Sequence, residues 1–263
     1  MDLGLKGKTI MVAAGSRGLG LGIARQVAKE GARVSIAAPT EPRVHESAAK
    51  LRDETGASVI SAVMDARDHA SILKWRDDTL DAFESIDGLV VNAGGPPAGL
   101  FDDFDDADWA SAFELTLLSA VRMIRAVLPS MRAGQSGSIV TVTSSSVKEP
   151  IDMLLLSNVM CSGVTSLAKS LSRQLASEGI RVNNLVPGAI NTDRLKGLME
   201  TQAARTGEPF KNLWDSRAAT VPLGRFGKPD EFGQAGAFLL SDAAAYITGE
   251  TLIVDGGAMK TVW

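Results

Sequence analysis

The sequence predicts an α/β fold, a three-layer doubly wound parallel sheet of about seven strands with helices on both faces. Short apolar runs alternate with longer amphipathic segments along the whole chain. The runs are apolar at successive positions, which is typical of strands buried on both faces. No linker, repeat or low-complexity segment interrupts this alternation, so residues 1–263 are expected to form a single domain.

Seven short runs are the predicted strands: Thr9–Ala13, Arg33–Ala37, Ser58–Met64, Gly88–Val91, Ser138–Val142, Arg181–Val186 and Thr251–Val254. The segments between them with helical periodicity are the predicted helices: Leu19–Glu30, Arg43–Thr55, Ala70–Phe83, Asp105–Met131, Leu154–Ser177 and Pro229–Leu240. Crossovers of this kind are right-handed and make the strands parallel. Because such sheets bind ligands at the carboxyl ends of their strands, functional residues are expected at that edge.

Composition and charge exclude several classes of protein. The net charge is −4 and no basic block is present, so neither nucleic acid nor a membrane surface is expected as a partner. Cys161 is the only cysteine, which excludes an intramolecular disulfide and is consistent with a reducing compartment. Neither a secretory signal nor an apolar run long enough for a membrane span is recognised, so a cytoplasmic location is expected.

A glycine-rich turn follows the first predicted strand. The sequence continues from Ala13 as Ala14, Gly15, Ser16, Arg17, Gly18, Leu19 and Gly20, and a helix is predicted to begin at once. Small residues allow the backbone to approach a diphosphate, which then meets the positive end of the helix dipole. The turn therefore predicts a nucleotide site, although a glycine turn can also serve a purely steric purpose.

Two further strand ends fit a dinucleotide. Asp65 follows the third strand, where its carboxylate could accept a hydrogen bond from an adenine amino group. Asn92, Ala93 and Gly94 follow the fourth strand, where a flat ring could lie against the backbone. Each of these could instead be an ordinary strand-end turn. The second strand ends without the acidic residue that would hold a ribose 2′-hydroxyl, and Arg17 is the nearby cation, so NADP is favoured slightly over NAD.

Together these motifs resemble the short-chain dehydrogenase/reductase family over essentially the whole chain, and most closely its members similar to 3-oxoacyl-acyl-carrier-protein reductases. The resemblance also includes the strand 137–142, Arg181-Val182-Asn183, Pro187-Gly188 with Thr192, and the segments 246–249 and 254–257. It implies a Rossmann-type fold, an NAD(P)-dependent oxidoreductase of alcohols or ketones, and a homodimer or homotetramer. It also places Pro187, Gly188 and Thr192 beside the cofactor.

The resemblance breaks at the catalytic positions. The family works through an Asn, a Ser, a Tyr that transfers the proton, and a Lys that lowers the Tyr pKa. Ser144 stands where the Ser belongs, but Thr116, Ser157 and Cys161 stand at the Asn, Tyr and Lys positions, and Ala14 replaces the first glycine of the turn. A serine hydroxyl is far less acidic than a tyrosine, whose reference pKa is about 10. The only tyrosine, Tyr246, is expected to serve packing or a subunit contact.

Lys148 is the candidate replacement for the missing acid. We hypothesise that Ser144 and Ser157 hydrogen-bond the substrate oxygen while Lys148 acts as acid or electrostatic stabiliser; the alternative is that Lys148 lies on an ordinary solvated loop. A Ser-His-Asp hydrolase is disfavoured because His45 and His69, the only histidines, both lie in the nucleotide half. Cys161 is expected to be a buried, inert thiol.

The remaining expectations concern metals, the substrate and the functional class. An acidic run from Asp102 to Asp108 is interpreted as helix capping, and no metal site is expected. The segment Thr192–Leu223 is either a substrate lid or an ordinary helical hairpin. Its apolar residues indicate a small-molecule substrate with apolar character: Leu195, Leu198, Met199, Phe210, Leu213 and Trp214. Besides the oxidoreductase, two classes stay open: a catalytically silent relative that binds nucleotide or a partner, and a lyase or dehalogenase that needs no cofactor.

Overall fold

The computed structural model describes residues 2–262 and contains one parallel sheet of seven strands in the order β3-β2-β1-β4-β5-β6-β7. The strands are β1 Thr9–Ala13, β2 Arg33–Ala38, β3 Val59–Val63, β4 Gly88–Val91, β5 Gly137–Val142, β6 Ile180–Pro187 and β7 Thr251–Val254. The strand order reverses between β1 and β4, where β1 pairs in parallel with both β2 and β4. The predicted fold class is confirmed, and the strands are displaced from their predicted bounds by two residues at most.

Helices cover both faces of this sheet. They are α1 Gly18–Lys29, α2 Glu41–Thr55, α3 His69–Phe83, α4 Asp106–Ala112, α5 Ser119–Ala133, α6 Leu155–Gln174, α7 Asp193–Thr206, α8 Phe210–Ala219 and α9 Pro229–Leu240. Helices α1, α2 and α9 pack with alternate β1 residues such as Ile10 and Val12 on one face. Helices α3, α5 and α6 pack with Met11 and Ala13 on the other. This alternation explains why the strands are apolar at every position.

The helix predicted as one piece over Asp105–Met131 is interrupted. A π-helical turn, Phe113–Leu118, lies between α4 and α5. The Ser119 hydroxyl donates to the Leu115 carbonyl at 2.5 Å and contacts the Thr116 carbonyl at 3.3 Å. A side-chain donor that competes for helix carbonyls accompanies such local irregularities, and a π turn leaves no trace in hydrophobic periodicity.

The segment predicted as a lid or a helical hairpin, residues 192–223, consists of α7 and α8. Helix α7 has no fully buried residue, whereas Leu213 of α8 is buried. The Trp214 ring lies 5.4 Å from that of Phe210 and 4.4 Å from that of Phe226, measured between centroids. This aromatic cluster joins α8 to Phe226, whereas the apolar side chains of α7 are only partly buried.

Two further observations concern the surface. Tyr246 is fully exposed in the single chain, so of its two predicted roles packing within the chain does not apply, and a subunit contact stays a prediction. The reason is that Tyr246 follows the short 3₁₀ turn Asp242–Ala244, which is anchored by Ala244 instead. Among residues 2–262, no helix is both long and apolar enough to cross a membrane.

Candidate active site

The glycine-rich turn connects β1 to α1 at the point where the strand order reverses. Gly18 has a φ of +56°, and a Cβ at Gly20 would overlap the Ala14 carbonyl oxygen. Ala14 itself has a φ of +48°, in the left-handed region that favours glycine. The turn therefore keeps the glycine-type backbone even where the side chain is alanine.

The N-terminus of α1 is open to an anion. Arg17 occupies the N-cap position without a capping hydrogen bond, and the first turn of α1 contains no acidic residue. The first backbone N–H groups of α1 therefore have no side-chain acceptor. Free N–H groups at a helix N-terminus can bind a phosphate. Ser16 is buried beneath the turn, where its carbonyl accepts a 2.8 Å hydrogen bond from Ser47 Oγ of α2.

The other predicted cofactor residues lie at the same edge. Asn92, Ala93 and Gly94 directly follow β4, and a Cβ at Gly94 would meet nothing within 4 Å. Asp65 follows β3 and accepts a 2.9 Å hydrogen bond from the Arg67 backbone N–H. That bond, reinforced by the Arg67 guanidinium, lowers the pKa of Asp65 and keeps it an anionic acceptor.

The predicted serine loop begins at the end of β5. Ser144 Oγ accepts a 3.2 Å hydrogen bond from the Ser146 N–H and so starts a short 3₁₀ turn. Ser146 Oγ is buried and has no hydrogen-bond partner among residues 2–262. Lys148 ends the turn half-buried and forms no ion pair within the described part of the chain. The neighbouring Glu149 carboxylate instead accepts a 3.0 Å hydrogen bond from the Lys260 N–H, which holds the C-terminal segment against the loop.

Helix α6 presents Ser157 and Cys161 one turn apart. Both are buried, with 7 % and 8 % of their surfaces exposed. Burial raises the pKa of the Cys161 thiol to about 11, so it stays neutral at pH 7. The predicted buried thiol is confirmed. The π turn packs against α6, and there Thr116 Oγ1 is buried without a hydrogen-bond partner in the described residues.

Helix α7 begins beside the glycine-rich turn. Thr192 caps α7 by accepting from the Leu195 N–H at 3.3 Å, and its methyl group would lie 3.6 Å from a Cβ at Gly18. Arg17 Nη1 lies 3.5 Å from the Asp193 carboxylate. Pro187 is the last residue of β6 and Gly188 follows it; a Cβ at Gly188 would overlap Asp255 after β7. The residues predicted beside the cofactor therefore occupy the carboxyl edge of the sheet.

The acidic run caps helices as predicted. Asp105 Oδ1 accepts from the Asp108 N–H at 3.0 Å, and Asp108 Oδ2 accepts from the Asp105 N–H at 3.1 Å. Asp103 accepts similarly from the Leu100 N–H at 2.8 Å. Within residues 2–262, no three His, Cys, Asp or Glu side chains come together as a metal site would require. The histidines lie away from the serine loop, with His45 on α2 and His69 at the start of α3.

Sequence reasoning missed two residues at this site. Asn158 on α6 donates through Nδ2 to the Ile151 carbonyl at 3.0 Å and accepts from the Ile151 N–H at 3.4 Å, which fixes the serine loop against the helix. Arg194 of α7 donates through Nη2 to the Pro96 carbonyl at 2.8 Å. The adjacency of Ser157 and Asn158 was visible in the sequence, but the contact between α7 and the β4 loop was not.

Comparison with known proteins agrees with this geometry. A family model described as enoyl-(acyl carrier protein) reductase matches residues 13–259. The 3-oxoacyl-[acyl-carrier-protein] reductase FabG of Chlamydia muridarum is 34% identical over 253 residues, covering 96% of this chain and 98% of the relative. The chain therefore belongs to the short-chain dehydrogenase/reductase family of NAD(P)-dependent oxidoreductases.

Solved structures of other members of that family are similar to it. The structure of L-sorbose reductase from Gluconobacter frateurii, complexed with NADPH and L-sorbose, has a TM-score of 0.94 and 31% identity, covering 100% of both chains. An NADPH-bound short-chain oxidoreductase from Pseudomonas aeruginosa, described as containing an atypical catalytic center, has a TM-score of 0.87 and 27% identity. It matches 97% of this chain and 98% of its own.

Proposed function

We propose that this protein is an NADP-preferring oxidoreductase that reduces a ketone, or oxidises the corresponding alcohol, without the family's tyrosine. Ser144 and Ser157 hydrogen-bond the substrate oxygen, and Lys148 supplies the proton or the stabilising charge. The single observation that carries the proposal is the uncapped N-terminus of α1, which opens towards an edge where β4 and β5 lead into Asn92 and Ser144.

The residues present fit a dinucleotide. The left-handed turn at Gly18, the close approach of Gly20 to Ala14, and the free N–H groups of α1 provide a cradle for a diphosphate. NADPH, when bound, supplies the hydride. Asn92 to Gly94 would lie against its nicotinamide end, Asp65 would receive the adenine amino group, and Pro187, Gly188 and Thr192 would flank the site.

Preference for the 2′-phosphate is supported by charge. Strand β2 ends at Ala38 and is followed by Pro39 and Thr40, which present no carboxylate to repel a phosphate. Arg17 is mostly exposed beside the turn, and its 3.5 Å contact with Asp193 is a surface pair that a phosphate can displace. The NADPH complexes among the similar structures agree with this preference.

Cys161 does not replace the cation that the family's Lys supplies. With its pKa raised to about 11 by burial, the thiol is neutral and supplies no positive charge to Ser157. Lys148 is the cation on the serine loop, and its freedom from ion pairs within residues 2–262 leaves its ammonium available to a substrate oxygen. Asn158 holds the loop that carries it in register with α6.

The test begins with calorimetric titration of NADPH and NADH, followed by NADPH oxidation with a panel of ketones. Micromolar binding with NADPH favoured and measurable turnover is expected. Ser144→Ala, Ser157→Ala and Lys148→Ala should each reduce kcat/KM by about 100-fold, the usual cost of one oxyanion donor. Ser162→Ala is the matched control, because Ser162 on α6 is exposed and its hydroxyl donates to the Asn158 carbonyl. Failure of both nucleotides to bind would refute the proposal.

A silent, nucleotide-binding relative is the second candidate, favoured by the complete exposure of the only tyrosine, Tyr246, at a distance in sequence from the serine loop. It predicts NADPH affinity without turnover on any ketone. The double substitution Ser157→Tyr with Cys161→Lys separates the two candidates further. It should create reductase activity if only the acid and its cation are missing, whereas no gain would show that the pocket has diverged as well.

The proposal includes a homodimer or homotetramer and a small-molecule substrate. The outer face of α6 exposes Val159, an apolar side chain that a second copy could cover. Light scattering coupled to gel filtration measures the oligomeric state directly, and a monomer at micromolar concentration would contradict it.

A further inference from the structure

We propose that Arg194 binds an anionic group, a carboxylate in the simplest case, on the substrate of this cleft. The protein would then select acids over their neutral esters. The inference rests on the proposed function for the location of the substrate, and it names the substrate class.

Arg194 connects α7 to the loop after β4 at the carboxyl edge of the sheet, which is where the proposed function locates the substrate cleft. It lies in the first turn of α7, and its Nη2 donates to the Pro96 carbonyl at 2.8 Å across the carboxyl edge of the sheet. A Cβ at Gly95 would lie 2.8 Å from Nη2 and 3.1 Å from Cζ, so the guanidinium rests directly on the loop after β4. The absence of a side chain at Gly95 is what admits it.

The loop after β4, which Arg194 contacts, is also connected to the serine loop. Gly99, further along the β4 loop, donates to the Met153 carbonyl at 2.8 Å and forms a parallel bridge with Leu154. At its other end, α7 places Arg205 Nη1 3.1 Å from Met153 Sδ. Helix α7 therefore begins beside the glycine-rich turn, contacts Pro96 through its first turn and reaches Met153 on the serine loop through its last turn.

Arg194 has no carboxylate partner among residues 2–262. Several other arginines pair with acids: Arg17, Arg25, Arg67, Arg76, Arg132 and Arg225. The acid nearest in sequence, Asp193, lies 3.5 Å from Arg17. Arg194 is an exposed residue, yet the protein around its guanidinium removes part of the solvent from that group and lowers its pKa.

A guanidinium in this state favours an anion. It has five N–H donors in a planar fork, and its hydrogen bond in the described chain uses Nη2 alone. Carboxylates and phosphates match that fork with two parallel hydrogen bonds, and charge-assisted bonds are about twice as strong as neutral ones. The half-buried Leu195 and Leu198 on the same helix indicate an apolar body attached to the anionic group.

The cofactor diphosphate offers the same chemistry. The substrate is the better assignment because the N-terminus of α1 already provides the diphosphate with donors, whereas Arg194 contacts Pro96 on the loop after β4, which is connected to the serine loop. The experiment distinguishes the two sources by measuring both ligands on the same variants.

The test is calorimetric titration of the NADP⁺-saturated protein with three acids and their methyl or ethyl esters: acetoacetate, benzoylformate and 3-oxooctanoate. At least one acid should bind the wild type about 10- to 100-fold more tightly than its ester, the value of a charged hydrogen-bonding partner. In Arg194→Met the two affinities should become equal, with the ester affinity within about 3-fold of wild type. Lys196→Met is the matched control, since it removes an exposed cation from the same turn and should preserve the preference.

Several outcomes would overturn the inference. These are the absence of an acid preference for all three pairs, a preference that survives in Arg194→Met, and a loss of NADP⁺ affinity above about 10-fold in that variant with the acid preference unchanged. The last result would assign Arg194 to the cofactor. Arg194-dependent binding of an acid without any NADPH oxidation would support the inference while refuting the proposed catalysis.

Discussion

Replacing Ala14 by glycine should stabilise the protein, although glycine usually destabilises folded structure. Ala14 adopts a φ of +48°, where its Cβ crowds the following carbonyl oxygen at a cost of about 1–2 kcal/mol. Glycine avoids that cost, but it also increases the conformational entropy of the unfolded chain. This second effect lowers the free energy of unfolding by about 0.4–1 kcal/mol. The methyl group of Ala14 is only half-buried, so its loss forfeits little apolar burial. The net gain in the free energy of unfolding is about 0.5–1 kcal/mol.

Thermal and urea unfolding measure this gain. A chain of this length should show a Tm increase of about 1–4 °C for Ala14→Gly. Ala13→Gly is the matched control: Ala13 is the last residue of β1 and is fully buried, so that variant should lose about 1–2 kcal/mol through its methyl group and its chain entropy. A Tm that falls in Ala14→Gly would refute the strained backbone at this position, as would equal losses in the two variants.

Three more predictions follow from single contacts. The Arg225 guanidinium, with the Lys228 N–H, lowers the pKa of Glu231 to about 2. Because this folded-state pKa lies below the unfolded value, the ionised Glu231 stabilises the folded protein above about pH 4.5. This contribution disappears as the pH falls towards 2. The Tm of Glu231→Gln should therefore lie below wild type at pH 6, and the difference should shrink steadily between pH 4.5 and pH 2; a constant difference would contradict this. Cys161, with its pKa near 11, should react with a thiol reagent at pH 8 at least about 100-fold more slowly than in urea, and rapid native labelling would show access that burial denies. Asn158→Ala should cost about 1–2 kcal/mol of stability and raise KM for a ketone without changing NADPH affinity, since it frees Ile151 on the serine loop; a weakened NADPH Kd would show that the defect spreads beyond the loop.

Most of the sheet could be predicted because its signals are local. Each strand is a short apolar run, and the turn at Gly18 follows directly from the end of β1, so neighbouring residues carry the information. The π turn at Phe113–Leu118 could not be predicted, because hydrophobic periodicity does not record a change in the hydrogen-bond spacing of one helical turn. The sequence also left open whether Tyr246 packs within the chain or contacts a second subunit, because an aromatic residue in a motif indicates burial without saying against what.

The site divides in the same way. The position of residues at strand ends, such as Asn92 and Ser144, could be predicted from the sequence because a parallel sheet brings its carboxyl ends together whatever the rest of the chain does. Arg194 was not found, because its hydrogen bond to Pro96 joins residues 98 positions apart, and no local pattern on α7 marks that partner. Contacts between a lid helix and a strand loop are set by tertiary packing, and a single sequence contains no period or spacing that reports them.

In the proposed assignment, Ser157 and Cys161 stand at the family's Tyr and Lys positions, and the two residues are then consistent with each other. With no tyrosine beside it, a lysine at position 161 would place an unpaired cation on a buried helical face. Burying an unpaired charge costs several kcal/mol of folding free energy. A neutral thiol avoids that cost, and with it α6 gives up the positive charge that a developing alkoxide needs. The cations that remain close to the cleft, Lys148 and Arg194, lie on the serine loop and on α7. In the proposed reaction, the positive charge that stabilises the developing alkoxide therefore comes from the serine loop and α7. The reaction rate should depend on how these two segments enclose the substrate.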